Sequence, residues 1–228
     1  LTWSGYAIIW DKKQKQFMYY SMNANPWSRV DANVHPENTG RAELTLFDEG
    51  IFANGEWDNQ QVLYMGQGNS DISDEGGVII AADNKQNYFV YQIGFDGRGS
   101  SFIEMTKTPI KMDIDNDTQF ATSIAFMNQI FYSKNGAVYL YNVVSGEEIY
   151  LYNAGGTIAK LQFRIARNYD KNYGTIDANR RLAVVVNNAN GEGELHELFL
   201  TTGGDVEKIL VHTGFGEIQD LKFSAPGT

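Results

Sequence analysis

One hairpin recurs along this chain, and its recurrence restricts the fold more than any other feature. Residues 133–141, SKNGAVYLY, set two apolar runs around Asn135-Gly136, the dipeptide that a two-residue type I′ turn demands. Residues 11–19 (DKKQKQFMY) and 83–91 (DNKQNYFVY) align over it at the turn. Each copy follows an apolar run, at 7–10, 78–82 and 130–132. A looser fourth copy has an apolar run at 182–186, a longer Asn/Gly-rich turn and a second run at 195–200.

The surrounding stretch, 129–163, holds four apolar runs separated by Lys-Asn-Gly, Val-Ser-Gly and Ala-Gly-Gly, which predicts four strands of one antiparallel meander. Within it Ala137, Tyr139 and Tyr141 fall on one face and Val138 and Leu140 on the other. Both faces are largely apolar, as in a sheet stacked between two others. A pattern G-x-I-x-x-L-x-F occurs at 156–163 and again at 216–223, read here as a closing strand, with a weaker version at Ala121, Ile124 and Phe126.

Four-strand units that repeat along a chain and cannot bury their faces alone point to a β-propeller of four-stranded antiparallel blades. A β-sandwich with similar hairpins is the alternative. Residues 1–228 are expected to form a single all-β domain, with 43% hydrophobic and 13% aromatic residues to build its core. About four blades fit once insertions are discounted. That is few for a closed ring, and the chain opens on Leu1 without Met, so a fragment lacking N-terminal material is expected.

The formal net charge of −10 argues against nucleic acid and anionic membrane surfaces as partners. The absence of Cys removes disulfides, Cys-based zinc sites and thiol catalysis. No apolar run reaches the length of a membrane span.

Insertions sit at 21–41, 66–77, 94–100 and 166–180. Labelling the strands of a blade a to d, 66–77 and 166–180 join a to b, and 21–41 and 94–100 join c to d. Successive strands reverse direction, so these connections leave one edge of the sheets and the short b–c turns leave the other. Binding residues concentrate on loops held by a rigid scaffold. Trp27 beside Arg29 and Asp31 has the composition of a saccharide platform, an aromatic face for C–H groups with polar neighbours for hydroxyls. Trp57 on a second connection, His35 in the long loop, and Arg98, Tyr169 and Tyr173 on the remaining insertions complete the candidate ligand-binding set. For both indoles the alternative is that they pin their loops to the scaffold.

Asp113, Asp115 and Asp117 have the spacing that begins a calcium loop. Thr118 stands where an EF-hand needs Gly, and Ile124 where it needs a bidentate Glu, so only a looser Ca²⁺ site is compatible. A solvated acidic turn is the default, and no cofactor is expected. His196 and His212 fall in predicted strands and read as structural. No nucleophile elbow, HExxH, P-loop or dinucleotide fingerprint stands in a usable context, so no catalytic residue is assigned.

The opening GYAIIWDKKQKQFMY (5–19), FYSKNGAVYLY (131–141) and GFGEIQDLKF (214–223) resemble the propeller region of PKD-like lipoproteins of Bacteroides-type bacteria. The resemblance implies a lipid-anchored, immunoglobulin-like portion outside this chain and a location on the outer-membrane surface. It also implies an accessory role, capturing glycan or peptide beside the transporter components of a nutrient-uptake system, and a non-enzymatic binding module is the reading adopted. A polysaccharide hydrolase or lyase on the same scaffold is the runner-up reading, and a structural subunit of a surface transport complex the third.

Overall fold

The computed structural model describes residues 2–3, 6–21, 44–47, 55, 57–70, 73–95, 102–164 and 179–223. The protein is all-β, and its described strands form four sheets, each a meander of four consecutive strands. The first is β1 (Thr2–Trp3), β2 (Tyr6–Asp11), β3 (Gln16–Ser21) and β4 (Leu44–Phe47). The second is β5 (Gln60–Ser70), β6 (Ser73–Asp83), β7 (Tyr88–Phe95) and β8 (Phe102–Ile110). β9 (Phe120–Ala121), β10 (Gln129–Lys134), β11 (Ala137–Asn142) and β12 (Glu148–Asn153) form the third. β13 (Thr157–Phe163), β14 (Arg181–Asn187), β15 (Glu192–Leu200) and β16 (Val206–Gly216) form the fourth. No helix among the described residues is long and apolar enough to cross a membrane.

The chain divides into two compact units, Leu1–Gln67 with Ile72–Pro109, and Gly68–Asp71 with Ile110–Thr228. The core of the first joins Ile8 and Phe17 of one sheet to Ile79, Ala81, Tyr91 and Ile93 of the next. The core of the second joins Phe131, Val138 and Leu140 to Ile158, Leu161, Phe163, Leu182, Val184 and Leu198.

All four recurring hairpins are the middle pair of a sheet, β2–β3, β6–β7, β10–β11 and β14–β15. Asn135 and Gly136 have φ of 52° and 72°, the two left-handed residues of a type I′ turn. The longer turns rely on side chains. Asp83 Oδ1 accepts from the Lys85 and Asn87 amides at 2.8 and 2.9 Å, and its Oδ2 from Asn87 Nδ2 at 2.8 Å. Asp11 and Asn188 cap their turns in the same manner.

The bonds from Asn87 hold the Asp83 carboxyl below its usual value of 3.8. A carboxylate with a lower pKa folded than unfolded favours folding above the unfolded value, and that contribution disappears as pH falls through the folded one. Asp83→Ala is therefore expected to melt below the parent at neutral pH, the gap narrowing below about pH 3.8. Melting followed by circular dichroism from pH 7 to pH 2 checks this; a gap constant with pH would mean that the charge contributes nothing.

Two sequence expectations are corrected here. The run 129–163 is not one meander, because β13 pairs with β14 and opens the fourth sheet. After β12 the Ala154 amide donates to the Gly136 carbonyl at 2.9 Å, which carries the chain across the β10–β11 turn into the next sheet. The G-x-I-x-x-L-x-F pattern thus forms no strand at 217–223, and at 156–163 it marks an opening strand. Its spacing has a cause: the β13–β14 register shifts between Ile158 and Lys160, and this bulge lets Ile158 and Leu161, three apart, both enter the core.

The second correction concerns 66–77, read as a loop. β5 and β6 run through it and leave only residues 71 and 72 between them. Glycines and polar side chains gave no apolar period, but ladder bonds are made by the backbone, and Gly76 and Gly77 pair with Gly94 and Ile93.

Candidate functional site

The short turns and inter-sheet connections of the second unit converge at one edge. There the β10–β11 turn, the β12–β13 connection and the acidic turn before β9 enclose a recess of about 560 Å³. Asp115, Asp117, Lys134, Asn135, Asn153 and Thr157 supply its side-chain polar groups, with Ser133 and Ile158 deeper.

Each wall is fixed by its own hydrogen bonds. The Ser133 hydroxyl accepts from the Gln119 amide at 2.8 Å, and the Ser133 amide donates to the Gln119 carbonyl at 2.9 Å. Asp115 Oδ1 accepts from the Asp117 amide at 3.0 Å and the Thr118 hydroxyl at 2.8 Å, which closes the acidic turn. Asn153 Oδ1 accepts from the Gly155 amide at 2.9 Å. The floor depends on two glycines. A Cβ on Gly136 would lie 2.8 Å from the Gly156 carbonyl oxygen, and one on Gly156 would lie 2.8 Å from Val186 Cγ1.

The electrostatics are mixed. Lys134 Nζ lies 3.2 Å from Asp113 Oδ2, and this hydrogen bond raises the Lys134 pKa, keeping a fixed positive charge at the rim. Asp115 and Asp117 line the same open recess as Lys134. Such an arrangement offers donors, acceptors and both signs of charge without a deep apolar pocket.

Asp113, Asp115 and Asp117 are not brought together as a ligand set, since Asp113 turns to Lys134 and Asp115 closes its own turn. Among the described residues no group of three or more His, Asp or Glu is arranged to hold a metal ion. Trp57 is 1% exposed, with ring centroids 4.8 Å from Phe17, 4.8 Å from Tyr91 and 5.7 Å from Trp10. Its indole fills the core of the first unit and offers no face to a ligand, in keeping with the loop-anchor alternative. Trp27, Arg29, Asp31, His35, Arg98, Tyr169 and Tyr173 lie outside the described residues.

The remaining histidines act within the sheets. His196, 3% exposed, meets the Tyr152 hydroxyl through Nδ1 at 3.0 Å and Glu194 Oε2 through Nε2 at 2.7 Å. This chain of bonds ties β12 of one sheet to β15 of the next. Burial, then the nearby Glu194 charge, pushes the Tyr152 hydroxyl pKa up, so it stays protonated and able to donate. His212 Nε2 lies 2.9 Å from Glu197 Oε1 across β15–β16.

Sequence reasoning missed the recess because it weighed connections by length. The signal was present in the topology: b–c turns and inter-sheet connections leave the same edge of a meander, so short turns from successive positions meet there. No protein-family model matches this chain, and no curated protein matches it.

Proposed function

We propose that this chain is a non-enzymatic binding module that holds a polar, hydroxyl-rich ligand, a saccharide, in the recess beside Asp117 and Lys134. Each four-stranded meander would serve as a blade of a β-propeller scaffold. The observation that carries the reading is the recess itself: about 560 Å³, open to solvent and lined by carboxylates, an ammonium, carboxamides and hydroxyls. Saccharide hydroxyls both donate and accept, and they are matched by such alternating partners. The volume suits a ligand of one or a few sugar rings. The resemblance to PKD-like lipoproteins supports a setting on the outer-membrane surface, lipid-anchored through a portion outside this chain and next to nutrient-transport components.

The test is a thermal-shift screen against neutral oligosaccharides, short peptides and Ca²⁺, since a ligand that binds only the folded state raises the melting temperature. A saccharide class is expected to give the shift. Asp117→Ala should weaken that saccharide about tenfold or more, the loss expected when a hydrogen bond to a charged group is removed. A shift with peptides alone, or saccharide binding indifferent to Asp117→Ala, would overturn this reading.

A further inference from the structure

β16 closes one edge of the fourth sheet, and every residue in it after Val206 is exposed. Three successive apolar side chains stand in the open there: Ile209 at 37%, Leu210 at 37% and Val211 at 50%. Natural sheets blunt long apolar edges with charge, proline or bulges, because unpaired backbone groups otherwise recruit another strand. This edge is blunted only at its ends. The register with β15 shifts between Phe199 and Leu200 and again between Gly193 and Leu195, which leaves Lys208–His212 as a regular five-residue window.

We propose that this window pairs antiparallel with the same window of a second copy of the chain, about a two-fold axis through Leu210. The window is complementary to itself. Ile209 and Val211 share the face of Leu198 and His196, and Lys208, Leu210 and His212 share the face of Phe199 and Glu197. An axis through Leu210 keeps both faces in phase, so that Ile209 of each copy stands opposite Val211 of the other and Leu210 stands opposite itself. Lys208 then stands opposite His212, which is hydrogen-bonded to Glu197, so the ammonium approaches a carboxylate already held in place. An axis through Ile209 instead sets Lys208 against Leu210 and Glu207 against Val211, losing the apolar pairs. Apolar and β-branched cross-strand pairs are the unit of sheet stabilisation, and the backbone pairs for the whole window. The surface joined is small, so the dimer is expected to be weak and concentration-dependent.

The chain has no Cys, so a single introduced thiol reports its own neighbourhood. In an antiparallel pair the directly opposite Cα atoms are about 4.5–5.5 Å apart, inside the range a disulfide bridges. Leu210→Cys in a glutathione redox buffer is expected to give a disulfide-linked dimer on a non-reducing gel. Val144→Cys, 72% exposed in the β11–β12 turn, is the control and should remain largely monomeric. By sedimentation equilibrium the parent chain should show a monomer–dimer equilibrium, and Leu210→Lys, which sets like charges opposite each other, should raise its Kd about tenfold or more. A parent chain that sediments as a monomer at its highest soluble concentration would overturn the proposal. A dimer unaffected by Leu210→Lys, or Leu210→Cys cross-linking no faster than the control, would overturn it as well.

Discussion

Trp57→Ala is expected to lower the stability of the first unit by about 3–5 kcal/mol, the range for deleting a large aromatic side chain from a packed core. The indole touches both sheets of that unit, with Phe17 and Trp10 on one side and Tyr91 on the other. Its removal leaves a void among side chains that belong to β strands and cannot collapse far without breaking ladder bonds. Trp57→Phe retains a ring against Phe17 and Tyr91 and should cost much less. Urea unfolding of both variants decides the matter, and a Trp57→Ala midpoint near that of the parent would mean that the indole does not join the sheets. The same burial bears on any binding assay: lost ligand affinity in Trp57→Ala would report unfolding before it reported contact.

Gly136→Ala should be a strongly damaging single-methyl change in the second unit. Two costs combine. A left-handed φ of 72° costs a non-glycine residue about 1–2 kcal/mol, and a Cβ 2.8 Å from the Gly156 carbonyl oxygen adds an overpacking cost of about 1–3 kcal/mol. The expected loss is thus about 2–5 kcal/mol. Gly155→Ala separates the terms, because Gly155 has a similar φ of 76° with nothing within 4 Å of its would-be Cβ. It should show the conformational cost alone. Equal unfolding midpoints for the two variants would show that the close approach of the turn and the inter-sheet connection carries no energy.

The hairpins were readable from sequence because their information is local. Asn135-Gly136 specifies its turn through φ, and the apolar runs at 78–82, 130–132 and 182–186 are buried strands, as their composition predicts. The partition into sheets was less readable. Nothing in residues 154–156 distinguishes a turn inside a meander from the passage to another sheet; the difference is the Ala154–Gly136 backbone bond, which no side chain encodes. The stretch 66–77 failed for a related reason, since backbone ladders tolerate glycine and polar residues without an apolar period. At the candidate site, Asp115 and Asp117 drew notice for their spacing. Lys134, Asn153 and Thr157 did not, because they belong to strand ends and acquire a common purpose only when two sheets stack.

Three of the four sheets fasten the segment that follows them. Lys15 Nζ in the first b–c turn donates to the Gln60 carbonyl at 2.9 Å, Ala154 binds Gly136, and the Asn187 side chain brackets Ile218 through its amide at 3.0 Å and its carbonyl at 2.9 Å. The natural module of this chain is therefore out of phase with its sheets. A duplication cut at a sheet boundary would separate a strand from the turn that receives it. One cut after the opening strand would carry lock and key together, and it is at such staggered seams that length can be added or removed with least disturbance.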